Sequence, residues 1–311
     1  MCKERTLAAI VGPTATGKTA VGIELAKLIN AEIISADSMA VYKGMDIGTA
    51  KPTAAEQKQA RFHLIDVVCP DQDFSVAEFQ RLSLECIGDI YKRECLPVVV
   101  GGTGLYVKSL TDGLNIPIAP PDKEFRKQLL ETAERDGRRA LMNQLAEVDP
   151  ETAARLHEND LKRIIRALEV YRQTGTPISA FHKAGRAAEL PYKIRMFGLT
   201  ISRPHLYERI NRRVDEQIEE GLVEEVKHLL DCGYSPNLPS MRGLGYKQIA
   251  GYLEGQYNLE TAVDLLKRDT RRFAKRQFTW FKAEPRILWV DTLNRTAADM
   301  AREIAGLLGR V

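Results

Sequence analysis

The sequence predicts an α/β protein, a parallel sheet flanked by helices and interrupted by an inserted all-helical segment. Three observations predict it. Short apolar runs alternate with helical patterns along residues 7–102, and a glycine-rich loop joins the first run to the first helical pattern. Residues 115–192 then show helical periodicity without a convincing strand, before strand-like runs return at 193–201 and 286–291. The expected division is a core of residues 1–114 and 193–311 around a helical insertion of 115–192.

The elements follow in order. LAAIV (7–11) is the first strand, and after the loop Val21, Leu25, Leu28 and Ile29 recur at the spacing of one helix face. EIISADS (32–38) and FHLIDVV (62–68) read as buried strands, VAEFQRLSLECIGDIYKR (76–93) as a helix and LPVVVGG (96–102) as another strand. Beyond the IPIAPP turn, KEFRKQLLETAERDG and NDLKRIIRALEVYRQTG are helical. KIRMFGLTI (193–201) re-enters the sheet, helices are expected at 204–220 and 222–232, and a long one ends near Lys282. RILWVD (286–291) is the last strand before a terminal helix.

With 311 residues, 44% hydrophobic and 28% charged, the chain can bury one large core or two modest ones. A net charge of +3 supplies no global field for a polyanion, so such a site must come from local clustering. Cys2, Cys69, Cys86, Cys95 and Cys232 form no CxxC pair and no Cys/His group at metal spacing, which argues for a reducing cytoplasm. The start of the chain reads as a first strand rather than a signal, and no run approaches the ~20 apolar residues of a membrane span. A monomer with no membrane and no obligate protein partner is expected.

GPTATGKT (12–19) fits G-x-x-x-x-G-K-[ST] through Gly12, Gly17, Lys18 and Thr19. Such a match arises by chance in roughly one chain in a hundred of this length. In its strand-to-helix setting it makes the fold P-loop NTPase-like. The loop, Gly12, Pro13, Thr14, Ala15, Thr16, Gly17, Lys18 and Thr19, turns backbone N–H groups around phosphates; Lys18 neutralises them, and the Thr19 hydroxyl can ligate magnesium. Which phosphates are held stays open. A triphosphatase carries a second, magnesium-holding acid at a strand end, but LPVVVGG ends in Gly101, Gly102 and Thr103, leaving Asp66 as the remaining candidate.

Asp37 closes EIISADS, and the carboxyl ends of neighbouring parallel strands share a ligand crevice. A carboxylate there repels phosphate yet can accept a proton from an acceptor substrate; the plainer reading is a turn cap. Thr103, in the GGTGLY turn, brings a hydroxyl to another strand end. In LYERINRRVDEQIEEG, Arg209, Arg212 and Arg213 oppose Leu206, Ile210 and Val214, and one of them can reach a diphosphate. In NDLKRIIRALEVYRQTG, Leu161, Ile164, Ile165, Leu168 and Tyr171 share one face, leaving Lys162, Arg163 and Arg166 on the other. KRDTRRFAKRQFTWFK (267–282) interleaves seven basic residues with Phe273, Phe278, Trp280 and Phe281 against the single acid Asp269. That composition suits either an RNA surface or a core helix with a solvated face.

These motifs, with ADSMAVYKGMDIGTAKP, FHLIDV, GLVEEV and GLGYKQ in this order, resemble the tRNA dimethylallyltransferases over essentially the whole length. The resemblance implies transfer of a dimethylallyl group from dimethylallyl diphosphate to the N6 amine of adenosine at position 37, beside the anticodon, in tRNAs reading codons that begin with U. Pyrophosphate leaves. It implies that the loop cradles an isoprenoid diphosphate with magnesium, that Asp37 takes the amine proton, that Thr103 positions the reacting centre, and that Lys18 and Arg213 stabilise pyrophosphate. By the same resemblance Asp37, Ser38, Met39, Ala40 and Thr103, together with Lys162, Arg163, Ile164, Ile165 and Arg166, touch the tRNA anticodon arm. Two positions depart from relatives: Ala40 replaces a frequent Gln, and so does Lys162. No cysteine pair matches the zinc-finger extension of eukaryotic relatives, which points to the bacterial type. The alternatives from other classes are a small-molecule or nucleotide kinase and an RNA-stimulated NTPase; a related transferase acting on free adenine nucleotides is a third.

Overall fold

The computed structural model describes residues 5–187 and 190–310. Cys2 and the residues leading into the first strand lie outside them. The chain forms two compact units, Met1–Val107 with Pro191–Val311, and Lys108–Leu190.

The first unit is built on β1 (Thr6–Val11), α1 (Lys18–Ile29), β2 (Ala31–Ser35), α2 (Ala54–Gln57), β3 (Phe62–His63), α3 (Val76–Lys92) and β4 (Leu96–Gly101). Helix α4 (Gly104–Thr111) leads into the second unit, which holds α5 (Lys123–Arg135), α6 (Arg138–Val148), α7 (Pro150–Ala153), α8 (Leu161–Thr174) and α9 (Ile178–Ala187). The first unit resumes with β5 (Lys193–Thr200), α10 (Arg203–Glu219), α11 (Leu222–Asp231), α12 (Tyr246–Leu253), α13 (Leu259–Lys282), β6 (Ile287–Asp291) and α14 (Ala297–Leu307). The sheet runs β3-β2-β4-β1-β5-β6, and every pairing is parallel. Parallel strands need crossovers that cover both faces, which is why β1, β2 and β4 are buried throughout or nearly so and read as continuous apolar runs. Ile10, Ile33, Val98 and Phe197 from the sheet pack with Leu25 of α1 and Ile304 of α14 in one core. A second core joins Val41 and Met45 to Val214, Leu222, Tyr246 and Leu266.

Three expectations need correction. FHLIDVV is a strand only at Phe62–His63, because Leu64 and Asp66 adopt left-handed backbone at φ 62° and 55°, which ends extended pairing. Helices α2, α4 and α12 escaped the sequence reading; α4 begins inside GGTGLY, so only its first residues form the turn. The compact helical unit is Lys108–Leu190, a boundary that falls inside α4, where the expected insertion ran from 115 to 192.

In the helical unit, Asp122 caps α5 by accepting the Phe125 N–H, and Gly175, at φ 66°, ends α8. Leu129, Leu141, Leu145, Ile164, Ile165 and Leu168 form its core.

Candidate active site

The carboxyl ends of β1, β4 and β2 lie side by side, with Val11 opposite Gly101 and Ser35 opposite Val100. The residues that follow these strands therefore converge. At Gly12, φ is 139° and an added Cβ would sit 2.6 Å from the Leu199 carbonyl oxygen of β5, so no side chain fits there. Gly17, at φ 85°, is the N-cap of α1 and turns the loop into the helix. Pro13 O accepts from both Thr16 Oγ1 (2.9 Å) and Lys18 Nζ (2.7 Å), which draws the loop around its own carbonyl.

Lys18 is only half-buried by exposed surface, since it faces a cavity. Protein atoms nonetheless crowd it. Their desolvation, with Arg213 adding to it and Asp37 opposing, brings the ammonium pKa down to about 7. Arg213 projects from α10, and its Nη1 donates to Thr14 Oγ1 at 3.2 Å. Burial likewise holds its guanidinium below the ordinary value, again against Asp37. Of the three candidate arginines it alone lines this site: Arg209 bonds to Thr292, and Arg212 is exposed beside Glu216.

Two adjoining cavities meet at Thr14, Ala15, Asp37, Thr49 and Arg213. One, of about 300 Å³, covers the phosphate loop and is lined by Gly17, Lys18, Thr19, Ser35 and Lys51. The other, of about 250 Å³, is apolar, lined by Ile210, Val214, Leu244, Leu266 and Phe273, with Ser38, Met39 and Thr103 at its polar side. Asp37 Oδ1 accepts the Met39 N–H at 2.8 Å, so the carboxylate caps its turn while facing both cavities. Thr103 Oγ1 accepts the Ser38 N–H at 3.0 Å and approaches Ser38 Oγ at 3.4 Å, tying the turn after β4 to the turn after β2.

Several expected residues lie elsewhere. Thr16 is fully buried and Pro13 faces a different cavity, so Thr14, Ala15, Gly17, Lys18 and Thr19 present the loop. Ala40 is 4% exposed, at the edge of the loop cavity. Ile164 and Ile165 belong to the core of the helical unit; Ile164 is fully buried, while Ile165 also lines the cavity of that unit. Beside them, Lys162 and Arg163 are exposed and Arg166 is half-buried, all lining a cavity of about 830 Å³ within that unit. Arg166 is also structural: with Arg126 it neutralises the fully buried Glu169 at 2.7 Å. Asp66, the candidate second acid, is engaged by Lys51 Nζ at 2.6 Å. In KRDTRRFAKRQFTWFK, Phe281 is core and Phe273 lines the apolar cavity, while Phe278 and Trp280 are exposed. Lys267, Arg268 and Arg272 are paired with Asp215 or Asp269.

Sequence reasoning missed the residues that hold the site together. Glu225 accepts the N–H groups of Asp46, Ile47 and Gly48 (2.8–3.1 Å) and the Tyr246 hydroxyl at 2.7 Å. Gln217 donates to Ile47 O at 2.6 Å. DIGTAKP, GLVEEV and GLGYKQ therefore meet, and they orient Thr49 toward both cavities. Glycines 101, 102 and 104 each abut another group, Ala36 O, the Gln277 amide and the Trp280 indole, where a Cβ would overlap. GGTGLY and KRQFTWF thus pack against each other. The signal in the sequence was the motifs themselves, without any indication of their partners.

Fold and site together define a phosphate-loop protein of the P-loop-like class, in which a loop for anions adjoins an apolar chamber at a carboxylate. A family model described as IPP transferase matches residues 40–284, and the chain belongs to that family. It is 53% identical to the tRNA dimethylallyltransferase of Heliobacterium modesticaldum over 288 residues, 92% of this chain and 90% of that one. It is 47% identical to that of Natranaerobius thermophilus over 308 residues, 98% of this chain and 92% of that one. Among solved structures, it is similar to the full-length tRNA isopentenylpyrophosphate transferase of Bacillus halodurans, with a TM-score of 0.73 and 44% identity, covering 99% and 96% of the two chains. A eukaryotic dimethylallyltransferase acting on tRNA matches with a TM-score of 0.84 and 26% identity, covering 99% of this chain and 80% of that one.

Proposed function

We propose that this chain transfers a dimethylallyl group from dimethylallyl diphosphate to the N6 amine of adenosine 37 in tRNAs reading codons that begin with U. The observation that carries the reading is the junction of the two cavities at Asp37 and Arg213. The diphosphate lies against the loop, with Lys18 and Arg213 as its counter-charges. The acceptor base enters from the apolar side between Met39, Leu244 and Phe273.

Nitrogen attacks the allylic carbon, the carbon–oxygen bond breaks, and the electron pair leaves with pyrophosphate. Asp37 takes the proton the amine sheds. Thr103 fixes the turn that presents Asp37. Lys18, Arg213 and the loop amides hold the charge gathering on the leaving group, in a site whose low dielectric strengthens them.

Magnesium fits this arrangement. No group of three metal-ligating side chains occurs among the described residues, while the Thr19 hydroxyl opens into the loop cavity, and magnesium commonly draws most of its ligands from substrate phosphates and water. Thr19 would hold the ion, which neutralises the departing diphosphate. The target base must leave its stack to reach Asp37, and Lys162, Arg163 and Arg166 of the helical unit suit the phosphates of the anticodon arm. No helix among the described residues is long and apolar enough to cross a membrane; the reading places the enzyme in the cytoplasm with its tRNA.

The test is incubation with magnesium, dimethylallyl diphosphate and an unmodified tRNA having adenosines beside an anticodon that ends in A, followed by nucleoside mass analysis. Dimethylallyl adenosine at position 37 alone is expected. No such product, with phosphate released from ATP in a matched reaction, would replace this reading with a nucleotide-hydrolysing site and demote Asp37.

A further inference from the structure

Gln277, on α13, is 7% exposed and has both ends of its amide engaged. Its Oε1 accepts the Thr14 N–H at 2.8 Å, and its Nε2 donates to the Gly102 carbonyl at 3.0 Å. One partner is a donor and the other an acceptor, so only this orientation of the amide satisfies both. The contact at Gly102 is so close that a Cβ there would overlap the amide nitrogen.

The placement of this bridge gives it a consequence. Strands β1 and β4 are in register as far as Val11 opposite Gly101. Past that rung the chain leaves the ladder, and the loop and the Thr103 turn are no longer held to each other by strand pairing. Gln277 spans them just beyond it. On one side Thr14 meets Arg213 through its hydroxyl; on the other Thr103 holds Ser38, the neighbour of Asp37. The groups facing the leaving diphosphate and the group taking the proton are thereby linked through a single buried amide.

We propose that Gln277 is a positioning residue for group transfer. It fixes the spacing between phosphate loop and acceptor turn, so that the allylic carbon meets the acceptor nitrogen rather than water; this rests on the transferase reading above. Without the bridge, Lys18, Thr19 and Arg213 still favour departure of the diphosphate. The carbon–oxygen bond then breaks and water adds to the allylic carbon, giving dimethylallyl alcohol, pyrophosphate and a proton. A displacement on the order of 1 Å is enough to cost transfer about a hundredfold.

Gln277→Leu removes both hydrogen bonds at similar volume, and Gln277→Glu keeps the acceptor for Thr14 while losing the donor to Gly102. Each variant is incubated with magnesium, dimethylallyl diphosphate and unmodified tRNA, and pyrophosphate, dimethylallyl alcohol and modified adenosine are counted. The wild type is expected to make one modified adenosine per pyrophosphate. In Gln277→Leu that ratio should fall about fivefold or more and kcat for transfer about 10- to 100-fold, with KM for tRNA within about threefold. If the Leu variant does not fold, Gln277→Glu decides, with the same direction of uncoupling expected. A folded variant whose ratio stays at one overturns the proposal, whether its turnover is unchanged or both products decline together as in a scaffolding defect. A wild-type protein that makes no modified adenosine would instead sink the transferase reading.

Discussion

Arg213 of α10 donates to the hydroxyl of Thr14 in the phosphate loop at 3.2 Å, across 199 positions of sequence. The contact brings a half-buried guanidinium to the junction of the two cavities, within the field of Asp37. Because charge on the diphosphate grows as the allylic bond breaks, Arg213 should stabilise the transition state more than the bound donor. Arg213→Ala is expected to lower kcat on the order of 100-fold, and Arg213→Lys, which keeps the charge but loses the fork, about 10-fold. Steady-state kinetics at saturating tRNA check this. Turnover within threefold of wild type in the Ala variant would remove Arg213 from the mechanism.

On the proposed mechanism Asp37 both caps its turn and takes the proton, and one substitution separates the two. In Asp37→Asn the side-chain oxygen still accepts the Met39 N–H, while the proton acceptor is lost. Transfer should fall at least about 100-fold, with tRNA affinity and melting temperature nearly unchanged. Asp37→Ala should abolish transfer and also loosen the turn. Near-normal turnover in either variant would refute the assignment.

Lys18 is expected to set a pH dependence. Its pKa of about 7 in the free protein lies below that of an ordinary lysine, so the cation is lost as pH rises through 7. With Lys18 as the proposed counter-charge to the donor, kcat/KM for the donor should decline above about pH 7. Bound diphosphate favours the charged form, so the corresponding limb in kcat should appear at higher pH. Lys18→Arg, charged throughout, should move that limb out of the accessible range. A wild-type kcat/KM that stays flat from about pH 6 to 9 would contradict this account.

Glu225 is the anchor of the DIGTAKP loop, with three backbone N–H groups and the buried Tyr246 hydroxyl on one carboxylate. Removing it leaves those donors without their partner. Glu225→Ala should cost about 3 kcal/mol or more in denaturant unfolding, and Glu225→Gln roughly half of that. The loss of stability should come with weaker transfer, since Thr49 follows the anchored segment. Unfolding midpoints matching wild type in both variants would show that the carboxylate is dispensable.

Much of the fold was legible because its signals are local. The apolar run, glycine loop and helical spacing of residues 7–29 specify strand, turn and helix from near neighbours alone, and β1 and α1 lie where they were read. FHLIDVV was misread for a complementary reason: its composition suits a strand, yet Asp66 turns left-handed and is held by Lys51, a contact that composition does not encode. The helix of Lys162 and Arg166 looked like a plain basic face. Glu169, fully buried between Arg126 and Arg166, showed that part of that charge is internal.

Strand segments, the phosphate loop and the helices of the insertion are written by the sequence itself in local runs of residues. Their alternation implies a parallel sheet even though its pairings, such as Ala8 with Val98, are long-range. The tertiary structure decided what the motifs do to each other: Arg213 rather than Arg209 or Arg212 reaching Thr14, Glu225 clamping Asp46 to Gly48, and Gln277 bridging Thr14 and Gly102. Those pairings join residues more than 170 positions apart. Hydrogen-bond partners at such range are set by how helices pack over the sheet, which no local pattern of side chains specifies.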